Sequence, residues 1–200
     1  MLKFEYFPCN VYRDEQPDWV DHSTQVVQKY LNVYMSCGLL DQTSEMVNDT
    51  NLNFLKEYLI SIAPAVLKEQ GYLTDKYDFY VKSLWGQVFQ PGASTNVHVH
   101  KNSQLCGWFF LKTPENGSYP VYYDPRHLKE MVELDYVQEK QLLHASSQVH
   151  FYNINPGTIL FSNTWLKHQM SVNNGETETT AIHFIIDAKE KNDTHFQANS

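Results

Sequence analysis

The sequence predicts a mainly β protein, a sandwich or barrel of short strands with helices packed on one side. After residue 78, apolar and polar residues alternate with a period of two, which is typical of strands. Glycine, proline, asparagine or aspartate separates most of these segments, and such residues form turns. Before residue 78, apolar residues recur at helical spacing instead. Helices followed by many short strands indicate this fold class.

A short strand is predicted over residues 2–13, and a first helix within residues 18–38. Apolar residues at helical spacing run through the helical segment, and Gly38 supplies its stop signal. We expect this helix to be scaffold.

A second and clearer helix is predicted within residues 51–71, where Gly71 ends it. Its apolar stripe consists of Leu52, Leu55, Leu59, Ile62 and Val66. Pro64 inside the segment predicts a kink or a break, because proline removes a backbone hydrogen bond and clashes with the preceding turn. This helix too is expected to be scaffold.

Seven strands are predicted in the second part of the chain, residues 78–187. They share the two-residue period and turn residues at most of their ends: residues 78–89, 95–100, 105–112, 118–124, 147–154, 157–163 and 178–187. The segment 127–147 interrupts them and is predicted to be a partly helical lid or linker over the barrel mouth. The polar tail, residues 188–200, is expected to fray. We therefore predict one domain over residues 1–187, in which residues 1–77 precede the β core.

Composition excludes several classes of protein. A chain of 200 residues that is 42% hydrophobic and 14% aromatic can bury one core. The net charge of -8 argues against nucleic acid or an anionic membrane as partner, and favours a neutral or basic one. Three scattered cysteines predict free thiols in a reducing compartment, so the expected location is the cytoplasm. Neither a signal peptide nor an apolar run of about 20 residues is found, and the oligomeric state is left open.

Three histidines are candidate metal ligands. In a strand, side chains two residues apart share a face, so His98 and His100 are expected to point the same way, opposite Val97 and Val99. His168 lies much later in the chain, and a late strand of a barrel can bring it beside the first two. Imidazole suits iron, copper, nickel and zinc, so this pattern predicts a metal site without choosing the metal.

Further motifs surround these histidines, in a fixed order, between residues 85 and 186. They are His98-x-His100-x-Asn102-Ser103, Cys106-Gly107-x-Phe109-Phe110-Leu111, Asp124-Pro125-Arg126, Pro156-Gly157, and Phe161 followed by Thr164-Trp165-Leu166-x-His168. Their order and spacing resemble a group of 2-oxoglutarate- and iron(II)-dependent oxygenases that is common in marine bacteria and their phages.

The resemblance implies a double-stranded β-helix, a jelly-roll or cupin-like barrel of eight antiparallel strands with iron(II) at one mouth. It makes His98 the first metal ligand and His168 the last. The middle ligand of the superfamily is usually Asp or Glu, and His100 stands there. Either the site has three histidines, or a carboxylate such as Asp124, or water, completes it. The implied cofactors are iron(II) and 2-oxoglutarate, and the implied reaction is hydroxylation, with a prolyl or asparaginyl side chain of a peptide as substrate by analogy.

The resemblance also predicts which residues bind the cosubstrate. Most of the superfamily holds its carboxylate with an Arg on the last strand, but Thr179 stands at that position and residues 178–187 contain no Arg or Lys. Lys112 and Arg126 are the alternative cations. The other predicted cosubstrate-binding residues are Phe110, which replaces a Tyr of the family pattern, Asn102, Thr179, and His183, which shares a face with Thr179.

Two other functions remain open on the sequence alone. One is a cupin-type dioxygenase with three histidines that does not use 2-oxoglutarate, which the missing Arg favours. The other is a non-catalytic metal-binding barrel, in which the replacements at Phe110 and Thr179 reflect lost cosubstrate binding.

Overall fold

The computed structural model describes residues 9–31, 38–126, 131 and 147–191. Within them two α-helices, α1 (Val20–Leu31) and α2 (Asn53–Glu69), precede most of the strands. Short 3-10 turns lie at Pro17–Trp19, Thr50–Leu52 and Thr74–Lys76. The strands are β1 (Val11–Glu15), β2 (Leu40–Gln42), β3 (Tyr77–Phe89), β4 (Leu105–Lys112), β5 (Pro120–Tyr123), β6 (Gln148–His150), β7 (Thr158–Asn163), β8 (His168–Met170) and β9 (Thr179–Glu190).

The strands form two antiparallel sheets, as expected for a jelly-roll-type barrel. The large sheet has the order β1-β7-β4-β9-β3-β2, and the small sheet has the order β6-β5-β8. Residues 95–100 were predicted as a strand, but they form only a single bridge, between His98 and His168. This stretch connects β3 to β4 of the large sheet, and the bridge joins it at one point to β8 of the small sheet. The predicted class, mainly β with helices on one side, is confirmed.

The helices pack on the outer face of the large sheet and form an apolar core with it. Leu55, Leu59 and Val66 of α2 are buried there, together with Phe109 of β4 and Phe184 of β9. Burying such side chains contributes roughly 1.5–3 kcal/mol each. Neither helix among the described residues has the length and apolar composition needed to cross a membrane.

Pro64 does not break α2, which runs without interruption from Asn53 to Glu69. Of the predicted kink or break, the break is wrong, and buried residues on both sides of Pro64 belong to the same core. Of the predicted stripe, Ile62 is only partly buried, and Ala63 and Leu67 are buried in addition.

A second core lies between the two sheets. Large side chains from the inner face of the large sheet, such as Phe89 and Trp108, meet Tyr122 and Met170 of the small sheet. The strands β4 and β7 approach closely at Gly107, where a Cβ atom would lie 2.0 Å from the carbonyl oxygen of Leu160. Glycine is thus required at this point of the large sheet.

Strands β4 and β3 each carry a bulge opposite β9. The register shifts between Phe110 and Lys112 in β4, so that Leu111 is an extra residue, and again between Val81 and Ser83 in β3. A bulge rotates the residues beyond it relative to the strict alternation. In β4 it turns Lys112 towards α1, where it lines a groove with Asp21 and Gln28.

The C-terminal boundary of the core lies later than predicted. Strand β9 continues to Glu190, because Tyr77–Val81 of β3 pairs with residues 186–190. Residues 188–190 are therefore part of the sheet and not of a frayed tail. The predicted lid lies outside the described residues except for Met131 and Ser147, as do residues 2–8 and 192–200.

Candidate metal centre

The structure brings the three candidate histidines together at one end of the barrel. His98 and His100 lie in the segment after β3, and His168 begins β8. Each contributes one ligand nitrogen to a group whose members all lie within 4.8 Å of one another. The ring centroids are 5.0 Å apart for His98 and His100, 4.6 Å for His98 and His168, and 5.2 Å for His100 and His168.

Backbone hydrogen bonds hold this group in place. His98 and His168 exchange two of them, with N–O distances of 3.0 and 3.1 Å, and the amide of His100 donates to the carbonyl of Thr164 at 3.0 Å. The His-x-His segment is thus tied to the turn before β8. Even without a regular strand over residues 95–100, both imidazoles reach the same site.

The ring orientations of two histidines are fixed by carbonyl oxygens. Nδ1 of His98 lies 2.8 Å from the oxygen of Asn96, and Nδ1 of His168 lies 2.7 Å from that of Leu166. Since a carbonyl can only accept, Nδ1 carries the proton in both rings, and Nε2 is left with a lone pair. This is the arrangement by which proteins orient histidine ligands towards a metal.

The free nitrogens are buried and uncharged. Nε2 of His100 and Nε2 of His168 are buried, and neither has a hydrogen-bond partner within the described part of the chain. Burial, and secondly the proximity of His98, lowers the pKa of His100 to about 4 and that of His168 to about 3. Both rings are therefore neutral at pH 7, and a transition-metal ion is the kind of partner that their lone pairs fit.

No carboxylate belongs to this group among the described residues. Asp124, the alternative third ligand, accepts from Nε of Arg126 at 2.9 and 3.2 Å, and also from its Nη2. An imidazole that binds a metal through its lone pair contributes no negative charge, so three such ligands would leave the charge of a divalent ion uncompensated. A dianionic cosubstrate would balance it.

The predicted cations lie at the surface. Nζ of Lys112 donates to Glu178 at 2.7 Å, on the helix side of the large sheet. Arg126 pairs with Asp124, and its side chain is 62% exposed. No lysine or arginine among the described residues is buried.

The other predicted cosubstrate residues occupy three different environments. Phe110 is fully buried in the core between the sheets. The Thr179 hydroxyl accepts from the amide of Ser118 at 2.9 Å and is also fully buried. Asn102 is exposed, with a left-handed φ of 56°. His183 is buried, and its ring centroid lies 4.9 Å from that of His100.

Two aromatic residues and a glutamine at this site were not considered functional from sequence. Trp108 contacts His168 and His183 edge-on, at centroid distances of 5.3 and 5.0 Å. Its Nε1–H donates to the side-chain oxygen of Gln87 at 3.0 Å, and Trp85 stacks on His183. The available signal was the two-residue period of β3, which places a polar Gln87 among inward-facing aromatic residues.

Comparison with known proteins identifies one matching family. The profile of the family described as "Putative 2OG-Fe(II) oxygenase" matches residues 83–184. This stretch contains all three histidines of the group as well as His183. No curated protein matches the chain.

Solved structures share the fold. The epimerase SnoN, solved in complex with Fe3+, alpha ketoglutarate and nogalamycin RO, is 11% identical with a TM-score of 0.61, over 96% of this chain and 88% of that one. HygX from Streptomyces hygroscopicus, with nickel and 2-oxoglutarate bound, is 10% identical with a TM-score of 0.59, over 90% and 83%. A Pseudomonas putida prolyl-4-hydroxylase is 10% identical with a TM-score of 0.57, over 90% and 92%.

Proposed function

The chain belongs to the 2OG-Fe(II) oxygenase family, and on this premise we propose that His98, His100 and His168 are the iron ligands of a hydroxylase. As a member, it is an iron(II)- and 2-oxoglutarate-dependent oxygenase. The observation that supports the ligand set is the group of three imidazoles with nitrogens close together, two of these nitrogens being buried and without a partner among the described residues. When bound, iron and 2-oxoglutarate supply the oxidising chemistry, which protein side chains alone do not provide.

The protein's own residues orient and shield this site. The carbonyls of Asn96 and Leu166 fix two ligand rings, and the carbonyl of Thr164 fixes the backbone at His100. The ring of Trp108 packs against His168 on the side of the group that faces the core between the sheets. His98 and His100 are only partly buried, so the approach for a substrate lies on their side.

For the substrate we propose an uncharged side chain in a peptide or protein. The fold shared with a prolyl-4-hydroxylase supports this class by analogy. The net charge of -8 favours a neutral or basic partner over an acidic one.

An anaerobic titration tests the ligand set. Iron(II) is added to metal-free protein, followed by 2-oxoglutarate, and the weak visible charge-transfer band of the chelated oxo acid is recorded. We expect the band in the wild type, its loss in His98→Ala and His168→Ala, and its retention in Gln169→Ala, the neighbour of His168 in β8. Iron binding that persists in both histidine variants would contradict the assignment.

Lys112 and Arg126 remain the proposed cations for the distal carboxylate of the cosubstrate. Each is engaged by a carboxylate at the surface, so binding would require an ion pair to open, and Lys112 would also have to turn from the helix side of the sheet to its inner face. Lys112→Ala and Arg126→Ala are therefore compared in titrations with 2-oxoglutarate. Normal affinity in both variants excludes the two residues as anchors.

A further inference from the structure

A fourth histidine, His183, lies against the three-histidine group but belongs to the large sheet. On β9 it is paired across the sheet with Trp85 of β3 and Trp108 of β4. Its ring stacks on Trp85 with a centroid distance of 4.3 Å and lies 4.9 Å from the ring of His100. The ligand set proposed above gives this residue no role.

His183 has no hydrogen-bond partner among the described residues. It is 1% exposed, and both ring nitrogens are buried and unpaired. A neutral imidazole carries one N–H donor and one acceptor, and leaving both unpaired in an interior destabilises the folded protein. We therefore expect its partner to be a molecule that binds beside the metal group.

The four imidazoles differ in burial, so the histidine group has an exposed side and a buried side. His98 and His100 are partly exposed, whereas His168 and His183 are 0% and 1% exposed. A substrate approaches from the exposed side. A small cosubstrate held inside the barrel meets the buried side, which is where His183 lies.

The surroundings of His183 suit a hydrogen bond to an anion. The rings of Trp85 and Trp108 flank it, and the low polarity of such a site strengthens a hydrogen bond to a charged acceptor. No buried lysine or arginine among the described residues competes for the anion. The nitrogens of His183 do not belong to the group of mutually close ligand atoms, so its role differs from that of the ligands.

We propose that His183 is a cosubstrate-binding residue, whose ring N–H donates a hydrogen bond to a carboxylate oxygen of the bound 2-oxo acid. The inference rests on the proposed function, since it requires a 2-oxo acid at the three-histidine centre. In most of the superfamily an arginine on this strand binds the cosubstrate carboxylate. In this protein, a neutral N–H donor on β9 would contribute to that binding.

Affinity for 2-oxoglutarate tests the proposal without turnover. Iron(II)-loaded protein is titrated anaerobically, and the charge-transfer band and tryptophan fluorescence are followed. In His183→Phe, which keeps an aromatic ring against Trp85, we expect unchanged iron affinity and about ten- to hundredfold weaker 2-oxoglutarate binding. The matched control is His22→Phe at an exposed position of α1, with wild-type affinity for both.

Two amide variants determine which nitrogen donates and guard against misfolding. His183→Asn places an amide near the Nδ1 position, and His183→Gln places one near Nε2, so one of them should restore most of the affinity. Circular dichroism identifies variants that fold.

The outcomes separate the two proposals. Wild-type 2-oxoglutarate affinity in a folded His183→Phe overturns the role of His183 while the proposed function stands. Iron affinity that falls in His183→Phe also overturns it, because His183 would then be a metal ligand. A wild-type protein that binds iron(II) but gives no band contradicts the proposed function itself.

Discussion

The two faces of the large sheet are built from the same strands but carry different chemistry. The face under the helices holds Ile182 and Phe184 of β9, which pack in a wholly apolar core. The face inside the barrel holds His183, whose two ring nitrogens are buried and have no hydrogen-bond partner among the described residues, and Trp108 across the sheet, whose Nε1–H donates to Gln87. The core of the outer face is therefore built from apolar packing, whereas the inner face carries a buried imidazole with two unpaired nitrogens.

Truncating a buried side chain of the outer face should have the largest effect on the free energy of unfolding. Phe184→Ala removes a fully buried ring, and we expect the free energy of unfolding to fall by about 3–5 kcal/mol in urea denaturation. Iron(II) affinity of the folded protein should not change. Val172→Ala, at a position 46% exposed, is the control and should cost about 0.5 kcal/mol or less. A selective loss of iron binding in Phe184→Ala would show that the two faces are not independent.

Replacing His100 should weaken metal binding without unfolding the protein. We expect His100→Ala to lower iron(II) affinity at least about tenfold by calorimetry. His100→Asp should restore much of it, because two histidines and one carboxylate form the usual facial site for iron(II). If His100→Ala binds iron(II) as tightly as the wild type, His100 is not a ligand.

Replacing His183 by phenylalanine should stabilise the folded protein, whereas truncating Phe184 should destabilise it. In the metal-free protein without cosubstrate, His183→Phe should raise the free energy of unfolding by about 1–2 kcal/mol, since it removes unsatisfied polar atoms and keeps the ring. Chemical denaturation of both proteins measures the difference. A destabilised variant would indicate that His183 already has a partner in the empty protein.

The surface pair of Lys112 and Glu178 should have the smallest effect. The hydrogen bond from Lys112 holds the pKa of Glu178 below its ordinary value, so the pair stabilises the folded state above the unfolded-state pKa. This contribution is lost as the pH falls through the lowered, folded-state pKa. Lys112→Ala should cost less than about 1 kcal/mol at pH 7, and less at high salt or in acid. A cost that persists in acid would indicate lost packing instead.

The local pattern of apolar and polar residues was sufficient to predict much of the secondary structure and part of the site. The two-residue period located most of the strands, and it placed His98 and His100 on one side because alternation is a local property. The three-residue strand β8 was not in the predicted set, since it is too short to show a period and pairs only through tertiary contacts. Residues 188–190 are polar, and only their pairing with β3 makes them strand.

The position of Lys112 shows where local pattern fails. Counting by two from Trp108 and Phe110 predicts that Lys112 also faces the interior. The register shift against β9 interrupts that count, so the side chain pairs with Glu178 on the helix side. A bulge depends on how two distant strands meet, which the sequence of one strand does not record.

The extra residue in β4 therefore also sets the charge of the barrel interior. If β4 kept Leu111 and paired with β9 without the register shift, Lys112 would pair with Thr179 instead of Thr180, and a shift of one residue moves a side chain to the other face. Lys112 would then point into the barrel and bring a positive charge to its inner wall. A single backbone residue, and not the presence or absence of a basic side chain, decides whether this strand can offer a cation to an anionic ligand.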